Sequence, residues 1–401
     1  MFKEERRILI LNFLTENDRA TVPHLAKLFN VTKETIRSDL RSLADQGIVQ
    51  RCHGGAMIIR KSLQAKLIAE TNNDFEALLK TIERPVHGTG TYSPMKSKVC
   101  ILGSFNVDLV AKVARFPRGG ESLMAQGSSL GPGGKGANQA QAASRAGAKV
   151  HFVSKVGTDQ FSQFAMEHLS SSEIHSFKLY QSEKEPTGSA IIYVSQENGE
   201  NMIAIYSGAN TTITDEEVAE LKNELSDSGV FLVQLENNFP ATLNAMRLAQ
   251  ALGVKVIMNP APFSPEVIPA LKYVDIVTPN ETEASLLSGI EVTDMESARA
   301  AAAAIAELGA QRVIITMGSR GALLYENKQY QHIPAFPAVS IDTTGAGDAF
   351  NGALAASLAE GNPLPQAATF ASAFASLAVE LEGAANMPDQ QQVLTRLRNA
   401  S

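Results

Sequence analysis

From Val99 onward, short apolar runs of strand length alternate with amphipathic stretches of helix length, and no other feature restricts the fold as strongly. Val99-Cys100-Ile101-Leu102 and Val254 to Met258 are apolar throughout, as strands covered on both sides must be. Ser297 to Leu308, with the Ala-rich stretch Ala298 to Ala306, has helix character. The alternation predicts an α/β domain, a largely parallel sheet with helices on both faces.

The first sixty residues have a different texture. Ile8, Leu9, Leu11 and Leu14 recur at helical spacing, then Val22, Leu25, Leu28 and Phe29, then Ile36, Leu40 and Leu43 behind Thr32, a good N-cap. Asn30-Val31 separates the last two runs, and Gly47 to Val49 followed by His53-Gly54-Gly55 supplies a reversal and a short hairpin. Three helices and a wing fit this segment. Ser62 to Glu83 reads as one amphipathic helix, with Leu67, Ile68, Phe75, Leu78, Leu79 and Ile82 on a stripe, and Pro85 ends it. His87 to Lys98, with Gly-Thr-Gly-Thr-Tyr-Ser-Pro inside, has a linker composition. The reading is therefore residues 1–57, a helix-turn-helix domain; 58–97, helix and linker; 98–401, the α/β domain.

Charge divides along the same line. Met1 to Lys61 holds 11 Lys+Arg against 7 Asp+Glu, so the overall −7 hides a basic head on an acidic body. That balance argues against a purely nucleic-acid-binding protein and suits a DNA-binding module joined to something else. Two cysteines, Cys52 and Cys100, make neither a disulfide framework nor a zinc spacing, which suits a reducing cytoplasm. No run approaches the ~18 apolar residues of a membrane span, and the charged start at Lys3 to Arg7 is unlike a signal peptide.

Thr32 to Leu40 sets Ile36 and Leu40 on one helix face and polar and basic side chains on the other, as a recognition helix requires. With Glu5-Arg6-Arg7, Leu25-Ala26, Thr35-Ile36-Arg37, Asp39-Leu40, Leu43, Gly47, Arg51 and His53 to Ala56, residues 3–57 closely resemble the DeoR-family repressor head. The resemblance implies that Lys33, Thr35, Arg37, Ser38 and Arg41 meet DNA. The sugar-phosphate sensor that usually follows such a head is replaced here by the α/β body.

Asp342-Thr343-Thr344-Gly345-Ala346-Gly347-Asp348-Ala349-Phe350 is the most informative segment of that body. Small residues opening a helix let its free N–H groups wrap an anion, and Asp348 in the first turn is poised to take a proton from an alcohol. A second cluster, Gly133-Gly134-Lys135-Gly136-Ala137-Asn138-Gln139-Ala140, also opens a helix, but it lacks the spacing of a P-loop. The two clusters match the two signatures of the PfkB/ribokinase family. The resemblance spans nearly all of 99–400 and extends through Gly103 to Asp108, Gln234-Leu235-Glu236, Asn259 to Pro262, Pro279 to Glu283 and Thr316 to Gly321.

That resemblance implies a ribokinase-like fold with a small β lid around Val110 to Phe116, Glu121 to Leu130 and Gly188 to Val194. It implies ATP-dependent phosphorylation of a pentose, D-ribose foremost, with 2-deoxyribose or a related sugar or nucleoside as the alternative. Asn106, Asp108, Gly134, Lys135, Asn138 and Glu236 would hold the sugar. Asn280 and Glu283 would order magnesium and phosphate, and Thr316, Gly318 and Gly321 would line the nucleotide site. Gly345, Ala346 and Gly347 would stabilise the transferring phosphoryl group, with Asp348 as base. A potassium ion would be held by Asp342 and the carbonyls of Thr344, Ala378, Leu381 and Gly383. Its last ligand is open, because Met387 or Asn386 stands where the family usually has Ser. A homodimer joined through the lid, its paired heads reading operator DNA, follows from the same resemblance. An active kinase tethered to a sugar-responsive head competes with a catalytically silent sugar-sensing transcription factor, and the intact catalytic positions favour the kinase.

Overall fold

The computed structural model describes residues 6–7, 9–10, 13–14, 19–45, 49–52, 54–58, 73–82 and 96–400. These fall into two compact units, and Asn73 opens the second.

In the first unit, Arg6, Arg7, Leu9, Ile10, Phe13 and Leu14 are helical, followed by helices Val22–Leu28 and Lys33–Asp45. Strands β1 (Arg19–Thr21), β2 (Val49–Cys52) and β3 (Gly55–Ile58) form an antiparallel wing in the order β1-β3-β2. Ile10, Leu14, Val22, Leu25, Ile36, Leu40 and Leu43 make its core. Leu28, expected to face inward, is half exposed, because the short second helix buries only its Val22–Leu25–Ala26 side. Thr32 caps the third helix through a 3.2 Å bond from Thr35 N to its hydroxyl. Asp39, on the apolar side of that helix, is buried and accepts from Arg6 Nε at 2.6 Å and Arg7 Nε at 3.3 Å. Losing either partner of such a buried pair leaves an uncompensated charge, so it fixes the first helix against the third.

Of the predicted Ser62 to Glu83 helix, Asn73–Thr81 is described; Ser62 to Asn72 and most of the linker lie outside the described residues. This helix docks on the α/β body, burying Phe75 and pairing Glu76 with Arg247 at 2.6 Å.

The body contains two sheets. Strands β4 (Lys98–Leu102), β7 (Lys149–Val156), β8 (Ser176–Gln181), β11 (Val230–Val233), β12 (Lys255–Met258), β13 (Ile276–Val277), β14 (Arg312–Thr316), β15 (Ala322–Glu326) and β16 (Gln329–Ile333) form one, in the order β16-β15-β14-β13-β12-β11-β4-β7-β8. Pairing is parallel from β8 to β14, and β15 and β16 add an antiparallel edge. The chain builds outward from β4 through β7 and β8, then returns to β11 on its other side. The crevice beyond the carboxyl ends of β4 and β11 is therefore the topological switch point, where α/β sheets bind ligands.

The second sheet, β10-β9-β5-β6, is the lid: β5 (Asn106–Val113), β6 (Gly127–Gly133), β9 (Gly188–Ser195) and β10 (Asn201–Tyr206). Glu121 to Gln126 are not part of β6; Glu121 instead binds Arg115 and the Arg118 amide, closing a turn. On one face of the main sheet, helix Ala346–Ala359 lies between Lys135–Arg145 and Leu364–Ala378 and packs on β4 and β11. Alanines line these contacts, and a Cβ on Gly352 would come within 2.5 Å of Gln139 O and Ala142 Cβ. The two glycine-led helices thus cross at close range.

Candidate active site

The helix Lys135–Arg145 begins where β6 ends, with Gly134 as its N-cap at φ +91°. This places Lys135, Asn138 and Gln139 beside the switch point. From β4, the chain turns at Gly103 into Ser104, Phe105 and Asn106; from β11, it runs on into Gln234, Leu235 and Glu236. Glu236 accepts from Lys135 N at 2.9 Å and from the buried Ser104 hydroxyl, which joins the two strand ends.

Asn106 is buried, and its Oδ1 accepts from Asn210 Nδ2 at 2.8 Å. Asn210 Oδ1 accepts from Phe105 N at 3.0 Å, and an N–H only donates, so the orientation of both amides is set. Asn106 therefore keeps both Nδ2 hydrogens and one Oδ1 lone pair beyond this bond, the donor-and-acceptor role its residue type allows. Asp108, two residues on along β5, shares its face. Burial, aided by the Glu236 carboxylate, pushes its carboxyl up to about 6.

Asp348 is buried in the first turn of helix Ala346–Ala359. Its Oδ2 accepts from Asn138 Nδ2 at 3.1 Å and its Oδ1 from Gln139 Nε2 at 2.9 Å. Burial pulls the Lys135 ammonium down, but Asp348, Glu236 and Glu283 outweigh it and hold it above the ordinary lysine value. That cation therefore sits among three carboxylates, those of Asp348, Glu236 and Glu283.

Gly345 caps the helix at φ +80°, where the 384 backbone leaves no room for a Cβ. A Cβ on Gly347, by contrast, would meet nothing within 4 Å beyond its own helix. Among the described residues no acceptor takes the Gly347 or Asp348 amide, so both remain available to an anion. Gly347 opens on a cavity of about 640 Å³ whose wall also includes Thr316, Gly318, Gly321, Ala346 and Phe350. All three residues expected to line the nucleotide site are there.

Asn280 and Glu283 form a capping box on helix Glu281–Ser288, with Asn280 Oδ1 accepting from Glu283 N at 2.8 Å and Glu283 Oε2 from Asn280 N at 2.9 Å. One Glu283 oxygen stays outside the box. Burial raises its carboxyl despite the Asn280 amide and Lys135. Among the described residues no three His, Cys, Asp or Glu side chains converge as a metal cage.

Asp342 accepts from Thr344 N at 2.8 Å and Gly383 N at 2.9 Å, drawing together two of the expected potassium-binding segments. Burial raises its carboxyl, but these bonds prevail and hold it below the usual value. The Ala378 and Gly383 carbonyls accept from Leu381 N and Asn386 N, each with a lone pair to spare. Met387 is buried in the core and Asn386 is exposed, donating its side-chain amide to the Glu382 carbonyl. The Met387 thioether is thus occupied in packing.

In the head, Lys33, Arg37, Ser38 and Arg41 are exposed on helix Lys33–Asp45 and Thr35 is half-buried beside them. Arg37 pairs with Glu34 at 2.7 Å. No described helix is long and apolar enough to cross a membrane.

Gln139, Asn210 and Asn259 belong to this site, although the sequence reading gave them no role. Their neighbours in the motifs were the only available signal; the contacts arise from helix and strand crossings.

Residues 96–391 match the model of the pfkB family carbohydrate kinases, and residues 6–62 that of the DeoR-like helix-turn-helix domain. The chain is 37% identical to the ribokinase of Haemophilus influenzae over 312 residues, 76% of this chain and 100% of that one. The ribokinase of Thermotoga maritima superposes with a TM-score of 0.69 at 35% identity, covering 75% of this chain and 99% of its own. An Arabidopsis thaliana ribokinase complexed with ribose and ATP gives 0.69 at 30% identity, covering 75% and 98%.

Proposed function

The chain belongs to the pfkB family of carbohydrate kinases and carries a DeoR-like helix-turn-helix domain ahead of the kinase, and from that premise we propose that it transfers the γ-phosphate of ATP to the 5-hydroxyl of D-ribose. The observation that carries the reading is the position of Asp348, between the cluster of Asn138, Gln139 and Lys135 and the cavity that Gly347 opens on. Ribose as substrate and ATP as donor are supported by the bound molecules of the Arabidopsis relative.

The Asn106 amide and Asp108 carboxylate hold the sugar's secondary hydroxyls, and Glu236 reaches it from the β11 end. Each Asp348 oxygen keeps a lone pair beyond its amide bond, and one takes the proton of the 5-hydroxyl as that oxygen attacks phosphorus. The bond from phosphorus to the departing nucleotide oxygen breaks as the new one forms. The Gly347 and Asp348 amides and the Lys135 ammonium stabilise the charge spread over the phosphoryl oxygens. Magnesium fits as an ion carried on the nucleotide phosphates, with the free oxygen of Glu283 and, through water, Asn280 as its protein partners; it would neutralise phosphate charge. Potassium fits the Asp342 loop, with the carbonyls of Thr344, Ala378, Leu381 and Gly383, and would order the segment before the anion hole.

Two further parts belong to this reading. Leu130, Ile191, Tyr193, Met202 and Tyr206 share one exposed face of the lid, which suits pairing with a second copy in a homodimer. The exposed face of helix Lys33–Asp45 suits the major groove of operator DNA, with Lys33, Thr35, Arg37, Ser38 and Arg41 as contacts, in a cytoplasmic protein whose head responds to the sugar. ADP release by the purified protein across a pentose panel tests the kinase, and D-ribose is expected to give the highest kcat/KM. No ADP with any pentose would leave the sugar-sensing transcription factor instead.

A further inference from the structure

Gln139 is fully buried and has no expected contact with sugar or nucleotide, yet it holds one oxygen of Asp348. Its orientation can be traced back to the main chain. The Thr278 carbonyl accepts from Asn259 Nδ2 at 3.2 Å, and a carbonyl only accepts, so Asn259 must turn Oδ1 the other way, to Gln139. Gln139 Nε2 donates to that oxygen at 3.1 Å, and its second hydrogen goes to Asp348 Oδ1 at 2.9 Å. Gln139 Oε1 accepts from Gln234 Nε2 at 2.7 Å. That arrangement leaves Gln234 Oε1 buried without a partner among the described residues. A flipped Gln139 would set its oxygen against the Asp348 carboxylate and Asn259 Oδ1, and would face the Gln234 donor with a donor. Only one orientation satisfies the chain of amides, and it aims a buried N–H at the carboxylate.

We propose that Gln139 is a positioning residue for phosphoryl transfer, holding the Asp348 carboxylate in one rotamer without touching substrate, with Asn259 as the group that orients it. Asn138 holds the other oxygen but sits at the sugar and is free to exchange partners when sugar binds. Gln139, fully buried and bonded to Gln234, Asn259 and Asp348, keeps its bond through the reaction. The inference rests on Asp348 being the base.

Gln139→Met keeps the side-chain length and removes both amide bonds. It is expected to lower kcat about 10–100-fold, the size of a lost hydrogen bond to a charged group, with KM for sugar and nucleotide within about threefold. Asn259→Ala leaves Gln139 in place but frees its amide to turn, and a smaller loss of the same kind is expected; it carries the test if Gln139→Met does not fold. A double-mutant cycle separates positioning from structure: in an Asp348→Asn background both losses should vanish. A Gln139→Met enzyme within about twofold of wild-type kcat, or a loss that persists undiminished in Asp348→Asn, overturns the proposal. Asp348→Asn alone reports on the base: wild-type turnover in that variant refutes the base assignment, and the positioning role falls with it.

Discussion

The two glycine clusters look alike in sequence and do opposite things in the fold. Around Gly134 and Gly136 the backbone is crowded: a Cβ on Gly136 would lie 2.4–2.5 Å from the Gly103 main chain. A Cβ on Gly347 would meet open space, and the Gly347 and Asp348 amides have no acceptor among the described residues. The first cluster is small so that a helix can press against a strand end and deliver Lys135, Asn138 and Gln139. In the second, Gly345 is crowded too, by Ala384, but Gly347 leaves room for something from outside to approach. Small residues at a helix start therefore carry two physical meanings, and only the surroundings separate them.

Adding one methyl group to each cluster breaks or sharpens that contrast. Gly136→Ala should have the largest effect, because backbone cannot yield as a flexible side chain does. A loss of about 3 kcal/mol or more, or no folded kinase, is expected in urea unfolding. Gly347→Ala should instead be neutral or slightly stabilising, since alanine is the better helix former, while turnover falls about 10–100-fold as the methyl group fills the anion space. Equal stability losses in the two variants would erase the distinction.

The sugar side should respond less. With Asn106 presenting a buried donor, a sugar lacking its partner hydroxyl forfeits roughly 1–3 kcal/mol, so kcat/KM for 2-deoxyribose should be about 5–150-fold below that for ribose. Equal efficiencies would refute the orientation drawn for that amide. Asp108 gives the smallest effect and a pH signature. Its carboxyl, pushed up to about 6, accepts more strongly from hydroxyls when ionised, so KM for ribose should rise as pH falls through that value. Asp108→Asn should flatten that dependence, because an amide does not titrate.

Much of this was legible in the residues themselves. Strands such as Val99 to Leu102 are apolar enough to be central, and Ile36 and Leu40 mark the buried side of the third helix. Gly345 to Asp348 announce an anion site by composition. What escaped depends on crossings that no local pattern encodes. Gln139 meets Asp348 because Gly352 lets two alanine-lined helices approach, two hundred residues apart in the chain. Asp39 reads as a polar residue and is buried because two arginines from another helix enclose it. β10 went unrecognised because both of its faces are exposed, so the alternation that marks half-buried strands is missing. Asn280 and Glu283 have the spacing of a phosphate-and-metal motif and that of a capping box at once, and the capping box leaves one Glu283 oxygen over.

The central claim is that Asp348, held by two amides beside an open pair of backbone N–H groups, removes the proton from the sugar hydroxyl during phosphoryl transfer. The direct test is ADP release with D-ribose by the wild-type protein and Asp348→Asn, alongside ribose binding by calorimetry. The account predicts ribose-dependent turnover that falls about 10²–10⁴-fold in the variant, with ribose affinity within about threefold. A variant that keeps more than about a third of wild-type turnover, or loses turnover only in proportion to ribose binding, would contradict it.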